Sequence, residues 1–198
     1  MNYETTREIE VAIANWFDIR RHIVVPNVSW GMFGYELDLC VLNTTSMCAK
    51  EVEIKVSKSD LKRDADKYHH HDRNGFLIKE LWFAMPEKMR GCEDLVPERA
   101  GILFVTKNGR VLVERKPTAN KLYKKWSEAN ALKLARLGAM RVWALKQMVN
   151  RTVELKKELK EANEDARMLA EELELEQNPG YSCAALRAHY ARVKGGEE

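Results

Sequence analysis

The sequence predicts an α/β domain followed by a long coiled-coil-like helix. Three observations carry that reading. Apolar residues at strand period and at helix period alternate along the first 117 residues. Two short runs, LWFAM (81–85) and GILFV (101–105), are apolar on both faces and read as buried central strands. Beyond Pro117 the pattern is helical from Ala119 to about Gln177, with one glycine, Gly138, and no proline. The expected organisation is therefore a domain over residues 1–117 and a helical arm with a short terminal helix over 118–198.

Each element has a local cause. Thr5-Thr6-Arg7-Glu8 is a capping box, and Ile9, Ala12, Ile13, Trp16 and Phe17 follow at helical spacing, so a helix should run to about Asp18. Residues 23–30 read as a short extended segment. Tyr35, Leu37, Leu39 and Val41 alternate with Glu36, Asp38 and Cys40. After the turn at 43–48, Val52, Ile54 and Val56 alternate with Glu53, Lys55 and Ser57. The short connection predicts an antiparallel hairpin whose second strand has one dry and one polar face. Ser59 is expected to cap a helix from Asp60 to about His71. Asn108-Gly109 signals a hairpin back to Val111–Val113.

The totals bound the function classes. The chain has 198 residues, 45% hydrophobic and 32% charged, with a net charge of only +3, so local charge must decide about nucleic acid. Cys40, Cys48, Cys92 and Cys183 form no CxxC pair, which argues for free thiols in a reducing compartment and against a structural zinc site. The polar start MNYETTREIE does not read as a signal peptide, and no apolar run approaches the roughly 20 residues of a membrane span. The expected location is the cytoplasm, or a bacterial host's cytoplasm if the chain is phage-encoded.

The polar face of "KEVEIKVSKSD" (50–60) is the first place to look for chemistry. If the two hairpin strands pair, Asp38 and Glu53 share one side of the sheet. Two carboxylates at close range repel unless something positive lies between them. A magnesium ion held by carboxylate oxygens answers that need, with the Ile54 backbone carbonyl as a further donor. Lys55 points the same way as Glu53 and would orient an attacking water or stabilise charge on a phosphate. Glu10, on the first helix, flanks the apolar stripe and is the candidate third acid. Ordinary solvated side chains explain Glu10 equally well.

Asp38, then Glu53-x-Lys55 fifteen residues on, after a helix holding Glu10, resembles the PD-(D/E)XK nuclease superfamily. The succession EIKVSKSDLKRDADKY, LWFAMPEK and LVPERAGILFV is similar in order and spacing to its MmcB-like, DNA-repair-associated branch. The resemblance covers roughly residues 5–116. It implies a restriction-endonuclease-like mixed central sheet flanked by helices and Mg²⁺- or Mn²⁺-dependent cleavage of DNA. Asp38 and Glu53 would be metal ligands and Lys55 the catalytic lysine, in repair, recombination or phage DNA processing. Two departures stand out. Leu37, not proline, precedes Asp38, and Asp66-Lys67-Tyr68 carries tyrosine where the branch usually has tryptophan. The superfamily also holds inactive members, so a DNA-binding protein that recruits partners through its coiled coil is the alternative.

Two basic stretches are candidates for contacting DNA. Lys58, Lys62, Arg63, Lys67 and Tyr68 lie on the helix after the motif strand, whose N-terminus favours anions. Asp60, Asp64 and Asp66 interrupt them, and a solvated face explains them equally well. Arg115, Lys116, Lys121, Lys124 and Lys125 contain no acid among them and interleave with Tyr123 and Trp126. Lys121 and Lys125 would form one edge of the long helix, with Trp126 packed beneath it. Three consecutive histidines, His69 to His71, point in different directions on a helix and do not make a zinc site.

Leu145, Met148, Thr152, Leu155, Leu159, Ala162, Ala166, Leu169 and Leu173 recur in steps of three and four, a seam of four heptads. One helix cannot bury that stripe alone: its own domain, the short terminal helix, another protein or a second chain could cover it, and the expectation is a homodimer through the long helix. Glu154 to Glu176 holds nine acids against four bases, so this arm should avoid DNA.

Overall fold

The computed structural model describes residues 5–29, 33, 35–65 and 76–177. In chain order the elements are α1 (Thr6–Trp16), β1 (His22–Val28), β2 (Leu37–Asn43), β3 (Cys48–Ile54) and α2 (Lys58–Ala65). Then come β4 (Glu80–Pro86), two 3₁₀ turns (Glu87–Met89 and Glu93–Leu95), β5 (Gly101–Val105), β6 (Val111–Arg115) and α3 (Glu128–Gln177). One compact unit runs to Val142, and the second begins at Trp143 with the remainder of α3. No helix among the described residues is long and apolar enough to cross a membrane.

The six strands form one mixed sheet in sequence order, β1 to β6. β1–β2, β2–β3 and β5–β6 are antiparallel, whereas β3–β4 and β4–β5 are parallel. The two parallel steps are the ones whose connections carry α2 or the 3₁₀ turns, because a parallel return needs a crossover. The expected hairpins at 37–54 and 101–115 are both present. Gly109, at φ 78°, takes the left-handed turn position that a side chain would strain.

One sheet face is covered by α1. Ile9, Ala12, Ile13 and Phe17 pack on Leu39, Val41, Val52, Ile54, Trp82, Ala84, Leu103 and Val105. The Thr5 capping box is formed as expected, with the Glu8 N–H donating to the Thr5 hydroxyl and the Glu8 carboxylate accepting the Thr5 N–H. Gly101 is required here, since a Cβ would lie 2.4 Å from the Trp82 ring.

The other face carries two separate apolar clusters. Val25, Val28, Leu37, Cys40, Leu42 and Ala49 pack under Trp126, Leu134 and Leu137. Leu81, Phe83, Met85, Ile102 and Phe104 pack under Leu61 of α2 and under Met89 and Val96. β3 lies between them and presents Glu51, Glu53 and Lys55 on this face. Gly138 lets α3 approach β1 closely, with the Val25 Cγ2 only 3.1 Å from where a Cβ would stand.

Three expectations need correction. The long helix starts at Glu128, not Ala119. Residues 118–126 are instead a non-helical strap, with a turn at Lys121–Leu122, stitched to the sheet. The Asn120, Lys124 and Trp126 amides donate to the carbonyls of Lys79, Phe76 and Met47, and the Trp126 indole donates to Leu77 O at 2.7 Å. These external bonds outcompete the intrahelical ones, and Ser127 then caps α3 through the Asn130 N–H. Lys121 and Lys125 are therefore exposed on a strap and do not share a helix edge. Second, α2 begins at Lys58, and its cap is Ser57, whose hydroxyl accepts the Asp60 N–H, rather than Ser59. Third, the polar face of β3 is not turned to water: Glu51, Glu53 and Lys55 are all buried.

Candidate active site

β3 brings its charged residues to the sheet centre because it is flanked on both sides. β2 pairs with it as far as Leu39↔Val52, which brings Asp38 to the end of the ladder beside β3. At this end the Asp38 carboxylate closes the ladder, its Oδ2 accepting the Ile54 N–H at 2.8 Å. It is thus the Ile54 amide, not its carbonyl, that this structure engages with the expected acids. On the other side β4 runs parallel, and the Lys55 N–H donates to Ala84 O.

The Lys55 ammonium lies between the two expected acids. Its Nζ donates to Glu53 Oε2 at 2.7 Å and stands 3.8 Å from Asp38 Oδ2. Glu53 is only 5% exposed and Lys55 7%, whereas Asp38 is half-buried. Burial disfavours the charged form of Glu53, and the neighbouring Asp38 and Glu51 charges add to that. Lys55 opposes them, and the Glu53 carboxyl is still pushed up to about 8. Glu10 on α1 is half-buried, and its carboxyl is raised by that burial and then by the Asp38 charge, with Arg7 and Arg141 opposing. Asp38 and Glu53 thus share the Lys55 ammonium, while Glu10 is linked to them only through the charge of Asp38.

Glu51 belongs to the same strand face and was not among the expected site residues. It is 1% exposed, and the Tyr35 hydroxyl lies 3.0 and 2.9 Å from its two oxygens. The signal for it was present: Glu51, Glu53 and Lys55 occupy every second position of one strand, three charges on a single face of a buried element.

The donor set suits a hard divalent cation. Asp38 and Glu53 offer carboxylate oxygens on facing strands, and magnesium is commonly held by one or two carboxylates with water completing the shell. Among the described residues no group of three or more His, Cys, Asp or Glu side chains encloses a metal position. Glu10 is accordingly near the cluster but not gathered with both other acids into a ready-made cage.

The expected DNA-contacting residues separate in space. Lys58, Lys62 and Arg63 are exposed on α2, which starts three residues after Lys55. Arg63 also lies 3.4 Å from Asp60. Lys121 and Lys125 lie on the strap, near the opposite end of β3, where Trp126 is bonded to Met47. There the Tyr123 ring is covered by Lys79, and Trp126 is buried beneath Leu134 and Leu137, so neither offers a free stacking face. Lys67, Tyr68 and His69 to His71 lie outside the described residues. Cys40, Cys48 and Cys92 are free thiols, the first two buried, and Cys183 lies outside the described residues.

No family model matches this chain, and no curated protein matches it at a significant level. Among solved structures, the chain is similar to a protein of unknown function from Silicibacter pomeroyi. The TM-score is 0.50 and the identity 16%, over 70% of this chain and 86% of that one. That likeness concerns the fold alone.

Proposed function

We propose that the end of the sheet at Asp38, Glu53 and Lys55 is the active site of a metal-dependent deoxyribonuclease. On this reading the fold is restriction-endonuclease-like, of the PD-(D/E)XK kind. One observation carries the reading: a buried lysine ammonium held between carboxylates from two facing strands, at the end of β3 where it runs parallel to β4. A structural strand gains little from such a group, because burying an ion pair costs about as much as the pairing returns. Perturbed, mutually coupled carboxylates of this kind concentrate at functional sites.

The roles follow from position. Asp38 and Glu53 would hold Mg²⁺ or Mn²⁺, with the Ile54 carbonyl and Glu10 as further oxygen donors. When bound, the ion would polarise the scissile phosphate and neutralise charge developing on it. Lys55, released from bridging the two acids, would be the cation that orients water and stabilises the pentavalent charge. Lys58, Lys62 and Arg63 on the adjoining helix would position the DNA backbone. Endonucleolytic cutting, in DNA repair, recombination or phage DNA processing, is the mode the resemblance suggests.

The burial itself favours a second reading. A Glu53–Lys55 pair closed against solvent, with Asp38 already bonded to a backbone amide, is also what a retained but inactive nuclease scaffold would show. Such a protein would bind DNA and recruit partners through its helix. Incubating labelled single-stranded, duplex and forked DNA with the protein and Mg²⁺ or Mn²⁺ separates the two. Metal-dependent products support the nuclease. DNA binding that survives EDTA, with no product from any substrate, supports the scaffold.

A further inference from the structure

The second half of α3 presents an apolar stripe and a charge pattern that together specify its partner. Leu145, Met148, Leu155, Leu159, Leu169 and Leu173 are between 52% and 67% exposed, on a helix whose seam continues through Thr152, Ala162 and Ala166. The charges are sorted along its length. Residues 143–160 hold five bases and two acids, whereas 161–177 hold one base and seven acids. The sorted half-helices carry net charges of +3 and −6.

The acidic C-terminal end, with no base in the last turn, opposes the helix's own dipole, which favours bases there. The ion pairs along the arm show the same inversion. Lys157–Glu161, Lys160–Glu164 and Arg167–Glu171 all place the base four residues before the acid, the weaker orientation. A lone helix is poorly served by this arrangement. A second copy running the opposite way corrects it, setting each basic half on an acidic half and opposing the two dipoles. A parallel pair would stack +3 on +3 and −6 on −6.

We propose that residues 143–177 form an antiparallel coiled coil with a second copy of this chain. The seam residues are the contact. Arg151 and Lys156 flank it in the basic half, Asp165 and Glu172 flank it in the acidic half, and Glu158 lies near the midpoint. This inference is independent of the nuclease reading.

The test is the mass of the full-length protein in solution by light scattering and sedimentation, across micromolar concentrations. The expected result is a dimer. The variant R151E/K156E should weaken it about tenfold, and D165K/E172K by a similar factor, because each sets like charges together in an antiparallel pair. The quadruple variant should restore the wild-type affinity. Circular dichroism of each variant shows whether helix content is kept, and recovery in the quadruple variant excludes simple unfolding. A single-chain mass throughout would overturn the proposal, whether the stripe is then covered by residues 178–198 or by a different protein. A dimer indifferent to both reversals would overturn it equally, since a parallel pair sets no opposite charges at these positions.

Discussion

The two ends of β3 hold charged residues in opposite ways. At the C-terminal end Glu53 and Lys55 are buried against each other beside Asp38. At the N-terminal end, about 23 Å earlier by strand rise, the cations are exposed or laid over aromatic rings. Lys79 covers Tyr123, Lys124 covers Phe76, and Lys121 and Lys125 face solvent. The apolar work at that end is done by Trp126, whose indole is bonded to Leu77 O. One strand thus ends in a structural anchor and in a cluster whose charges cost stability. Charge buried at a cost is the better pointer to chemistry, and abundant surface lysine the poorer one.

The sharpest way to break this contrast is to make the C-terminal end apolar. The double variant E53L/K55M should remove all cleavage, yet be as stable as the wild type or more so, because an apolar pair of similar volume replaces a desolvated ion pair. Calorimetry beside the cleavage assay decides it. A large loss of stability would mean the pair is architectural.

Trp126→Ala is the opposite case. It empties a buried site and strips the Leu77 carbonyl of its donor, for a loss of about 3–5 kcal/mol in denaturant unfolding. The fraction that remains folded should keep its cleavage rate. A lost rate at full stability would move the site toward the strap.

Charge reversal on the two basic surfaces should rank them. K58E/K62E/R63E on α2 is expected to weaken DNA binding about tenfold or more at low salt. K121E/K125E, at the far end of β3, should change it by no more than about twofold. Fluorescence anisotropy measures both, and the reverse ranking would place the DNA over the strap.

The Glu53 end of β3 carries a pH dependence. The Glu53 carboxyl is raised from 4.5 to about 8, so between those values the folded chain binds more protons than the unfolded one. Stability contributed by protonated Glu53 is therefore full below about 4.5 and is lost as the pH rises toward 8. Measured in EDTA, the wild type should lose melting temperature relative to Glu53→Gln across that window. Parallel curves for the two proteins would show that Glu53 is ionised throughout.

Local signals in the sequence placed most of the fold, because the elements they describe are locally determined. The Thr5–Glu8 capping box, the 43–48 turn and Asn108-Gly109 each act over a few residues, and each stands where its residues predict. The start of α3 was not legible. Residues 119–127 have helical composition, but Asn120, Lys124 and Trp126 bond to Lys79, Phe76 and Met47, more than forty residues away in sequence. In the site, the antiparallel hairpin that brings Asp38 to β3 followed from the spacing. The burial of Glu53 and Lys55 did not, because it depends on the parallel pairing of β3 with β4, a strand about thirty residues on in sequence.

Cleavage of DNA by wild type and by Lys55→Ala with Mg²⁺ or Mn²⁺, each beside an EDTA control, decides whether this end of β3 is an active site. The expected result is cutting by the wild type that EDTA stops, and a rate about 10²–10³-fold lower for Lys55→Ala, with circular dichroism unchanged. Equal cutting by the two proteins would contradict it.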